Sequence, residues 1–185
     1  MTSARLILAS SSPRRRDLLL QAGLRFDVVP AHIDETRREG EAPTVYVERL
    51  ALAKARTVAA THPSSVVLGA DTTVVLGGEI LNKPESIEDA EVMLRALSGK
   101  RHEVHTGIAV VSQGLEWTHV ETTSVFFGQI PEAELTYYLD SKDSLDKAGG
   151  YGIQGYAARW VERIEGDFFN VMGLPIAATM RLLGS

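Results

Sequence analysis

Short apolar runs alternate with longer amphipathic segments along the chain, which predicts a mixture of strands and helices. Apolar runs typical of strands occupy Arg5–Ala9, Phe26–Pro30, Val66–Ala70, Thr73–Leu76, Glu103–Val111, Thr118–Phe127 and Arg159–Ile164. Helical spacing is found over Pro13–Ala22, Pro43–Ala60, Ser86–Leu97, Pro131–Ser141 and Ile176–Leu183. Strands and helices alternate in the first half, whereas long strands follow one another in the second. We therefore expect an α/β protein with a mixed β-sheet and flanking helices.

Signals for the ends of elements support this pattern in the middle of the chain. Ser86 with Asp89 offers a capping box at the start of a helix, and Gly99 supplies the stop at its end. The pair Gly77-Gly78 is typical of a two-residue hairpin turn between two short strands.

The most polar turn of the chain follows the first apolar run, where residues 10–16 read Ser-Ser-Ser-Pro-Arg-Arg-Arg before a leucine-rich segment. Ser12 can cap the helix that follows, and Pro13 suits its first position. Backbone N–H groups, hydroxyls and guanidinium groups would then converge on one point, as in a phosphate or other anion site. An ordinary capped helix with solvated arginines explains the same residues, so both interpretations stay open at this point.

Composition and charge narrow the class of protein. A length of 185 residues favours a single domain over residues 1–185. The absence of cysteine excludes disulfides, thiolate metal ligands and cysteine nucleophiles, and a net charge of −5 argues against nucleic-acid binding. The first apolar run is too short for a signal peptide, and no segment approaches the roughly 18 apolar residues of a membrane span. We therefore expect a cytoplasmic protein with neither nucleic-acid nor membrane partners.

Three polar residues stand out from their surroundings. Asp71 follows the apolar run Val66–Ala70, and a carboxylate at the end of a buried strand could bind Mg²⁺ or accept a proton from water. A turn aspartate bonded to its own backbone is the commoner alternative. Lys54 falls on or beside the apolar stripe of a helix, where it must reach water or meet an anion. Lys83 lies beyond the hairpin and is either a phosphate contact or simply solvated.

Two further segments carry candidate binding groups. Glu35 follows the second predicted strand and could supply a metal ligand, although exposed acidic loops are frequent. The loop from Asp146 to Gly155 contains four glycines, which allow the backbone to approach a ligand closely. Within it, the amide of Gln154 offers one donor and one acceptor that can match a uracil or thymine edge. No G-x-x-x-x-G-K-[ST] run is present, which excludes a P-loop nucleoside triphosphatase.

Together and in this order, the motifs resemble the Maf family of nucleoside triphosphate pyrophosphatases, historically called septum formation inhibitors. The segments that carry the resemblance are Ala9-Ser-Ser-Ser-Pro-Arg-Arg15, Gly69-Ala-Asp-Thr72, Lys83-Pro84, Leu97-Ser-Gly99, His102-x-Val-x-Thr106, Asp146-Lys-Ala-Gly149, Tyr151-Gly-Ile-Gln-Gly155 and Val171-Met-Gly-Leu-Pro175. The resemblance implies a Maf/inosine triphosphatase-like fold with a central cleft. It also implies hydrolysis of a nucleoside triphosphate to the monophosphate and pyrophosphate with a divalent cation, Mg²⁺ or Mn²⁺.

The resemblance is to the dTTP/UTP branch, and it implies roles for individual residues. Asp71 would be the proton acceptor or a metal-linked carboxylate, and Glu35 a second acidic group at the metal. The triphosphate would be held by Ser10, Ser12, Arg15, Lys54 and Lys83, of which the two lysines count among the catalytic residues. Base selection would involve Arg14, Thr72 and Gln154, while Arg16 would face solvent.

Two alternative functions stay open beside this one. A pyrophosphatase of the same class could prefer another nucleotide, such as 7-methyl-GTP, and a nucleotide-binding regulator of cell division could act through a partner. Members of the family are commonly dimers, which implies a homodimer here. The resemblance leaves two biological roles open, which are clearing modified pyrimidine nucleotides and restraining cell division. Asn82, where the family often has Gly or Glu, and Gly150, where it usually has Ala, depart from the pattern without removing a functional side chain.

Overall fold

The computed structural model describes residues 5–184, which form six helices and seven strands of very different lengths. The strands are β1 (Leu6–Leu8), β2 (Asp27–Val28), β3 (Val66–Leu76), β4 (Glu79–Leu81), β5 (Arg101–Ser112), β6 (Leu115–Phe127) and β7 (Val161–Glu165). The helices are α1 (Pro13–Gln21), α2 (Pro43–Ala59), α3 (Ile87–Leu97), α4 (Glu132–Asp140), α5 (Phe168–Met172) and α6 (Ile176–Leu183). Across the described residues, none of these helices combines the length and apolar character that a bilayer crossing requires.

The strands form a mixed sheet in the order β2-β1-β3-β5-β6-β7, and β4 pairs with β3. β1 is parallel to both β2 and β3, whereas β4 is antiparallel to β3 and β7 is antiparallel to β6. The predicted α/β class with a mixed sheet and flanking helices is therefore confirmed, and the predicted central cleft stays a prediction.

The bounds of five helices agree closely with the sequence patterns, whereas the bounds of most strands differ from the predicted ones by one to three residues. Helix α6 has the predicted bounds, α1 to α3 differ from them by one residue at one end, and α4 is shorter by one residue at each end. The two predicted strands Val66–Ala70 and Thr73–Leu76 are instead one continuous strand, β3. The prediction that Asp71 ends a strand is therefore wrong. Aspartate is usually unfavourable inside a strand, but here its carboxylate has an ammonium partner, so the strand continues through it. Neither α5 nor the 3₁₀ turns at Ala148–Gly150 and Tyr156–Trp160 were predicted.

The internal contacts of the described chain divide it into two compact units. Unit 1 contains residues 5–72, 106–121 and 173–184, and unit 2 contains residues 73–105 and 122–172. The single domain over residues 1–185 stays a prediction. Each unit is described by itself below.

In unit 1, helix α2 lies directly against the backbone of two strands because glycines leave room for it. A Cβ atom on Gly69 of β3 would lie 2.2 Å from the carbonyl oxygen of Ala51, and one on Gly107 of β5 would lie 2.4 Å from that of Val47. Such close approach is available only where the strand has no side chain. The apolar core of this unit consists of Ile7, Ala9, Ala51, Ala55, Val58, Val67, Ala109 and Val111.

Gly69→Ala is expected to lower the free energy of unfolding by about 3 kcal/mol, because the new methyl group would meet the backbone of α2. Urea unfolding followed by circular dichroism measures this change. Gly128→Ala is the matched control, since its new methyl group would meet the carboxylate end of Glu162, a flexible side chain that can move aside. An equal loss of stability in the two variants would contradict the explanation.

Unit 2 has its own core, which is rich in aromatic side chains. The rings of Phe127 and Tyr151 meet edge to face with 4.7 Å between their centres, and Trp160 is buried beside Tyr138. His102 lies in the same cluster, with its Nε2 atom 2.7 Å from the hydroxyl oxygen of Tyr151. Burial lowers the pKa of His102 to about 4 and raises the pKa of Tyr151, so both side chains are neutral members of the core at neutral pH.

Candidate functional site

The polar turn before α1 is organised by its own serines. Ser12 caps the helix, with its Oγ atom accepting a hydrogen bond from the N–H group of Arg15, as predicted, and Pro13 takes the first helical position. The Oγ atom of Ser10 accepts from the N–H group of Ser12 at 3.2 Å and from Nη1 of Arg15 at 3.1 Å. A hydroxyl has two lone pairs and one hydrogen, so these two bonds leave the O–H group of Ser10 to donate to an anion.

Arg15 is the buried centre of the turn. Its Nε atom donates to the carbonyl oxygen of Gly173 at 2.8 Å, and its Nη1 atom donates to the carbonyl oxygen of Ala70 at 2.9 Å. With the bonds to Ser10 and to Oγ1 of Thr72, at 3.0 Å, four of its five N–H donors go to the protein itself. Burial lowers the pKa of Arg15. The guanidinium group therefore joins α1, β3 and the residue after α5, and its role as a phosphate contact stays a prediction.

Thr72 and Gly173 belong to the same network. Oγ1 of Thr72 lies 2.9 Å from Oγ1 of Thr106 and donates weakly, at 3.4 Å, to the carbonyl oxygen of Gly173. Gly173 has a φ of 111°, a conformation that glycine adopts without strain, which turns its carbonyl toward the arginine. The sequence motifs that contain Gly173 and Thr106 gave no hint of this partnership, since their residues are distant in the chain.

The other two arginines of the turn differ in exposure. Arg14 is partly buried on α1, and its positive charge contributes to the lowered pKa of Arg15. Arg16 is exposed and pairs with its neighbour Asp17 at 3.3 Å, which confirms the prediction that it faces solvent.

A second cluster in unit 1 contains the predicted acidic residues and one lysine. Nζ of Lys54 lies 2.7 Å from Oδ1 of Asp71 and 2.8 Å from Oε1 of Glu35. Asp71 and Lys54 are each only 8% exposed, whereas about half of the Glu35 side chain reaches solvent. Of the two alternatives for Lys54, the structure therefore shows the ammonium group bound to carboxylates and not extended into solvent. The close packing of α2 on Gly69 brings this lysine within reach of the strand residue.

The buried setting changes the acidity of Asp71. Loss of solvation raises the pKa of its carboxyl group, and the nearby charges of Lys54 and Arg15 oppose that rise. A carboxylate with a raised pKa is a better proton acceptor than an ordinary one, and perturbed carboxylates of this kind are frequent in active sites.

The loop that carries Glu35 is fastened to α2 by contacts that the sequence did not predict. The hydroxyl of Tyr46 donates to the carbonyl oxygen of Glu35 at 3.0 Å, and Nη2 of Arg49 donates to that of Thr36 at 3.1 Å. Arg49 also forms a two-point ion pair with Glu41, at 2.6 and 2.7 Å, which lowers the pKa of that glutamate to about 2. The Glu35 loop is therefore held in a defined place.

Two predicted site residues, Lys83 and Gln154, belong to unit 2. Lys83 is exposed and follows Asn82, whose carbonyl oxygen accepts a hydrogen bond from the N–H group of Gly149 at 3.1 Å. Gln154 is exposed on a turn that follows the buried residue Ile153. The segment after β4 and the glycine-rich loop are therefore joined through the backbone, and the binding roles of both residues stay predictions.

Within residues 5–184, no group of three or more histidine, aspartate and glutamate side chains is arranged to hold a metal ion. The predicted metal ligands Asp71 and Glu35 instead share the ammonium group of Lys54. A metal at this pair stays a prediction.

Comparison with known proteins gives a consistent result over the whole length. The chain is 51% identical over 176 residues to the dTTP/UTP pyrophosphatase of Geobacillus sp. (strain WCH70), covering 95% of both chains. It is 49% identical to the protein of the same name from Koribacter versatilis (strain Ellin345), covering 96% of this chain and 92% of that one. Among solved structures, a HAM1 protein from Coxiella burnetii matches 99% of this chain and all of its own, with a TM-score of 0.53 and 14% identity, which supports the fold alone. A family model described as Maf-like protein matches residues 5–185, and the chain belongs to this Maf family.

Proposed function

We propose that this chain hydrolyses dTTP and UTP to the corresponding monophosphate and pyrophosphate. The observation that carries the proposal is the buried carboxylate of Asp71, 2.7 Å from an ammonium group that also binds Glu35. Cleavage between the α and β phosphates needs a proton acceptor beside positive charge, and this cluster supplies both. The names of the relatives from Geobacillus and Koribacter support the choice of nucleotide.

The residues of unit 1 suit the two requirements of the reaction, which are removal of a proton from the attacking water and stabilisation of negative charge on the phosphate oxygens. Water attacks the α phosphorus, the bond from that phosphorus to the bridging oxygen breaks, and pyrophosphate leaves. Asp71 accepts the proton of the attacking water, which its raised pKa favours. The hydroxyl of Ser10 and the start of α1 bind phosphate oxygens, and Lys54 offsets the negative charge that develops on them. Ser12 and Arg15 shape this turn. In unit 2, Lys83 is assigned a role as a phosphate contact.

The donor set also fits a divalent cation. Glu35 and Asp71 each bring a carboxylate oxygen to within 2.8 Å of one positively charged atom, so their oxygens already converge around a cation. Mg²⁺ is commonly held by one or two carboxylates together with substrate phosphates and water, so a larger set of protein ligands is unnecessary. Bound Mg²⁺ or Mn²⁺ would polarise the phosphate oxygens and lower the pKa of the attacking water.

Base selection is assigned to Arg14 and Thr72 in unit 1 and to Gln154 in unit 2. In one orientation the amide of Gln154 can accept from N3–H and donate to a carbonyl oxygen of uracil or thymine, whereas cytosine would need the reverse orientation. We also propose that the protein acts in the cytoplasm as a homodimer and that modified pyrimidine nucleotides are among its substrates.

A substrate panel with pyrophosphate as the readout tests this function. The purified protein is incubated with dTTP, UTP, CTP, ATP, GTP, ITP and 7-methyl-GTP, each with Mg²⁺, with Mn²⁺ and with excess EDTA. We expect kcat/KM for dTTP and UTP to exceed that for the other nucleotides, and we expect EDTA to abolish turnover. A preference for 7-methyl-GTP or a purine would replace the proposed substrate with another of the same reaction. Tight binding of dTTP without turnover would favour the nucleotide-binding regulator.

A further inference from the structure

Lys147 of unit 2 is a buried lysine for which the reaction described above has no use. Only 9% of it is exposed, and its Nζ atom lies 2.5 Å from the carbonyl oxygen of Asp143 and 2.8 Å from Oδ1 of the same residue. Oδ1 of Asp146 lies 2.6 Å from the same nitrogen. A lysine ammonium has three donors, so these three oxygens account for all of them. All three N–H donors of Lys147 are therefore used by oxygens of its own loop, and none is left to bind a phosphate.

Two glycines show how closely this ion pair packs against the turn that bears Gln154. A Cβ atom on Gly152 would lie 2.8 Å from Cε and 2.9 Å from Cδ of Lys147. A Cβ atom on Gly155 would lie 3.2 Å from Oδ2 of Asp143. The two glycines are themselves joined by a hydrogen bond of 3.0 Å from the N–H group of Gly155 to the carbonyl oxygen of Gly152. Gly152 and Gly155, at the two ends of the turn, therefore pack against Lys147 and Asp143, respectively.

The position of Gln154 depends on the turn that carries it. Its side chain is exposed, and its neighbour Ile153 is the buried residue of the turn. An amide reads a base edge only when its donor and acceptor are held at the right places, and a displacement of about 1 Å in such a group can cost about 100-fold in rate. The Lys147–Asp143 ion pair packs against the backbone on both sides of Gln154, at Gly152 and Gly155.

We propose that Lys147 is a positioning residue for base selection, which acts by holding residues 152–155 so that Gln154 is presented in one orientation. This proposal rests on the proposed function, because it takes the uracil or thymine edge as the group that Gln154 reads. It assigns to Lys147 an effect on which base is accepted, while the phosphate-binding residues of unit 1 are left unchanged.

The test compares UTP with CTP, which differ only at the base edge in question. Lys147→Met keeps the length and apolar stem of the side chain and removes the ammonium group. We expect the ratio of kcat/KM for UTP to that for CTP to fall about 10-fold, mainly through a higher KM for UTP. Inhibition by inorganic triphosphate, which has no base, should stay within twofold of the original protein. Lys100→Met is the matched control, since Lys100 is an exposed lysine of the same unit and should leave the ratio unchanged.

A double variant separates positioning from general loosening of the fold. If Lys147 acts through Gln154, adding Lys147→Met to Gln154→Ala should lower the UTP to CTP ratio no further. Should Lys147→Met fail to fold, Asp143→Ala removes the carboxylate that lies against Gly155, while Lys147 keeps Asp146 as a partner, and the ratio should fall in the same direction. An unchanged ratio in these variants, or an equal weakening of UTP and inorganic triphosphate, would overturn the proposal. An original protein that hydrolyses neither UTP nor dTTP would overturn the proposed function instead.

Discussion

Replacing Asp71 by asparagine is expected to lower the rate of pyrophosphate release from dTTP and UTP by about 1,000-fold, within the range that a positioned proton acceptor contributes. Asparagine has nearly the same shape but cannot accept a proton from water. Lys54 would keep Glu35 as its partner, at 2.8 Å, so the ammonium group would not be left buried without an anion. The measurement is kcat at saturating nucleotide, with released pyrophosphate as the readout.

Asp17→Asn provides the matched control for Asp71→Asn. Asp17 is an exposed residue of the same unit, paired with its neighbour Arg16 in a contact of 3.3 Å, and its replacement should leave kcat unchanged. Thermal unfolding of the Asp71 variant should remain cooperative and close to that of the original protein. A variant that folds and retains full activity would remove Asp71 from the reaction.

The pH dependence of activity provides a second readout for the same residue. Asp71 can accept a proton only as a carboxylate, so activity should fall as the pH drops through its pKa. Because burial raises that pKa above the ordinary value of 3.8, the acid limb of the profile should lie at a higher pH than an exposed aspartate would give. The limb should be missing from the residual activity of Asp71→Asn.

The sequence predicted the elements of this fold better than the contacts between them. Periodicity located α1 to α4 and α6 to within one residue at each end, because helical spacing and capping residues are local signals, but it missed the short helix α5. The Asp-Thr pair suggested a break in β3, yet the strand continues because Lys54, seventeen residues earlier in the chain, supplies a partner for the buried carboxylate. That pairing depends on how closely α2 approaches Gly69, a tertiary distance that no local pattern contains.

The candidate site shows the same division between chemistry and placement. Residue type alone indicated that the serines, Asp71 and Lys54 could bind an anion or a cation. It could not indicate that Arg15 gives its Nε donor to Gly173, which lies 158 residues further along the chain. Residue type also could not indicate that Lys147 donates hydrogen bonds to Asp143 and Asp146, next to the turn that carries Gln154. Each of these depends on loops that meet only after folding.

Arg15→Lys is expected to lower both the stability and the activity of the protein, although it preserves the positive charge. The guanidinium group reaches four acceptors in different directions, among them the carbonyl oxygens of Gly173 and Ala70. A lysine has a single ammonium group and cannot reproduce this fork. A buried carbonyl left without its donor costs about 1–3 kcal/mol, so we expect the free energy of unfolding to fall by about 3 kcal/mol.

The same change should also reduce kcat/KM for dTTP by about 100-fold, because the turn that carries Ser10 would lose the group that holds it against β3. Urea unfolding and pyrophosphate release measure the two effects on one preparation. Arg16→Lys is the matched control: Arg16 is the next residue on α1, it is exposed, and its replacement should change stability by less than about 0.5 kcal/mol. If Arg15→Lys retained both stability and activity, positive charge alone would be sufficient at this position. If it lost activity while keeping its stability, Arg15 would act on the nucleotide directly, which would strengthen its predicted role as a phosphate contact.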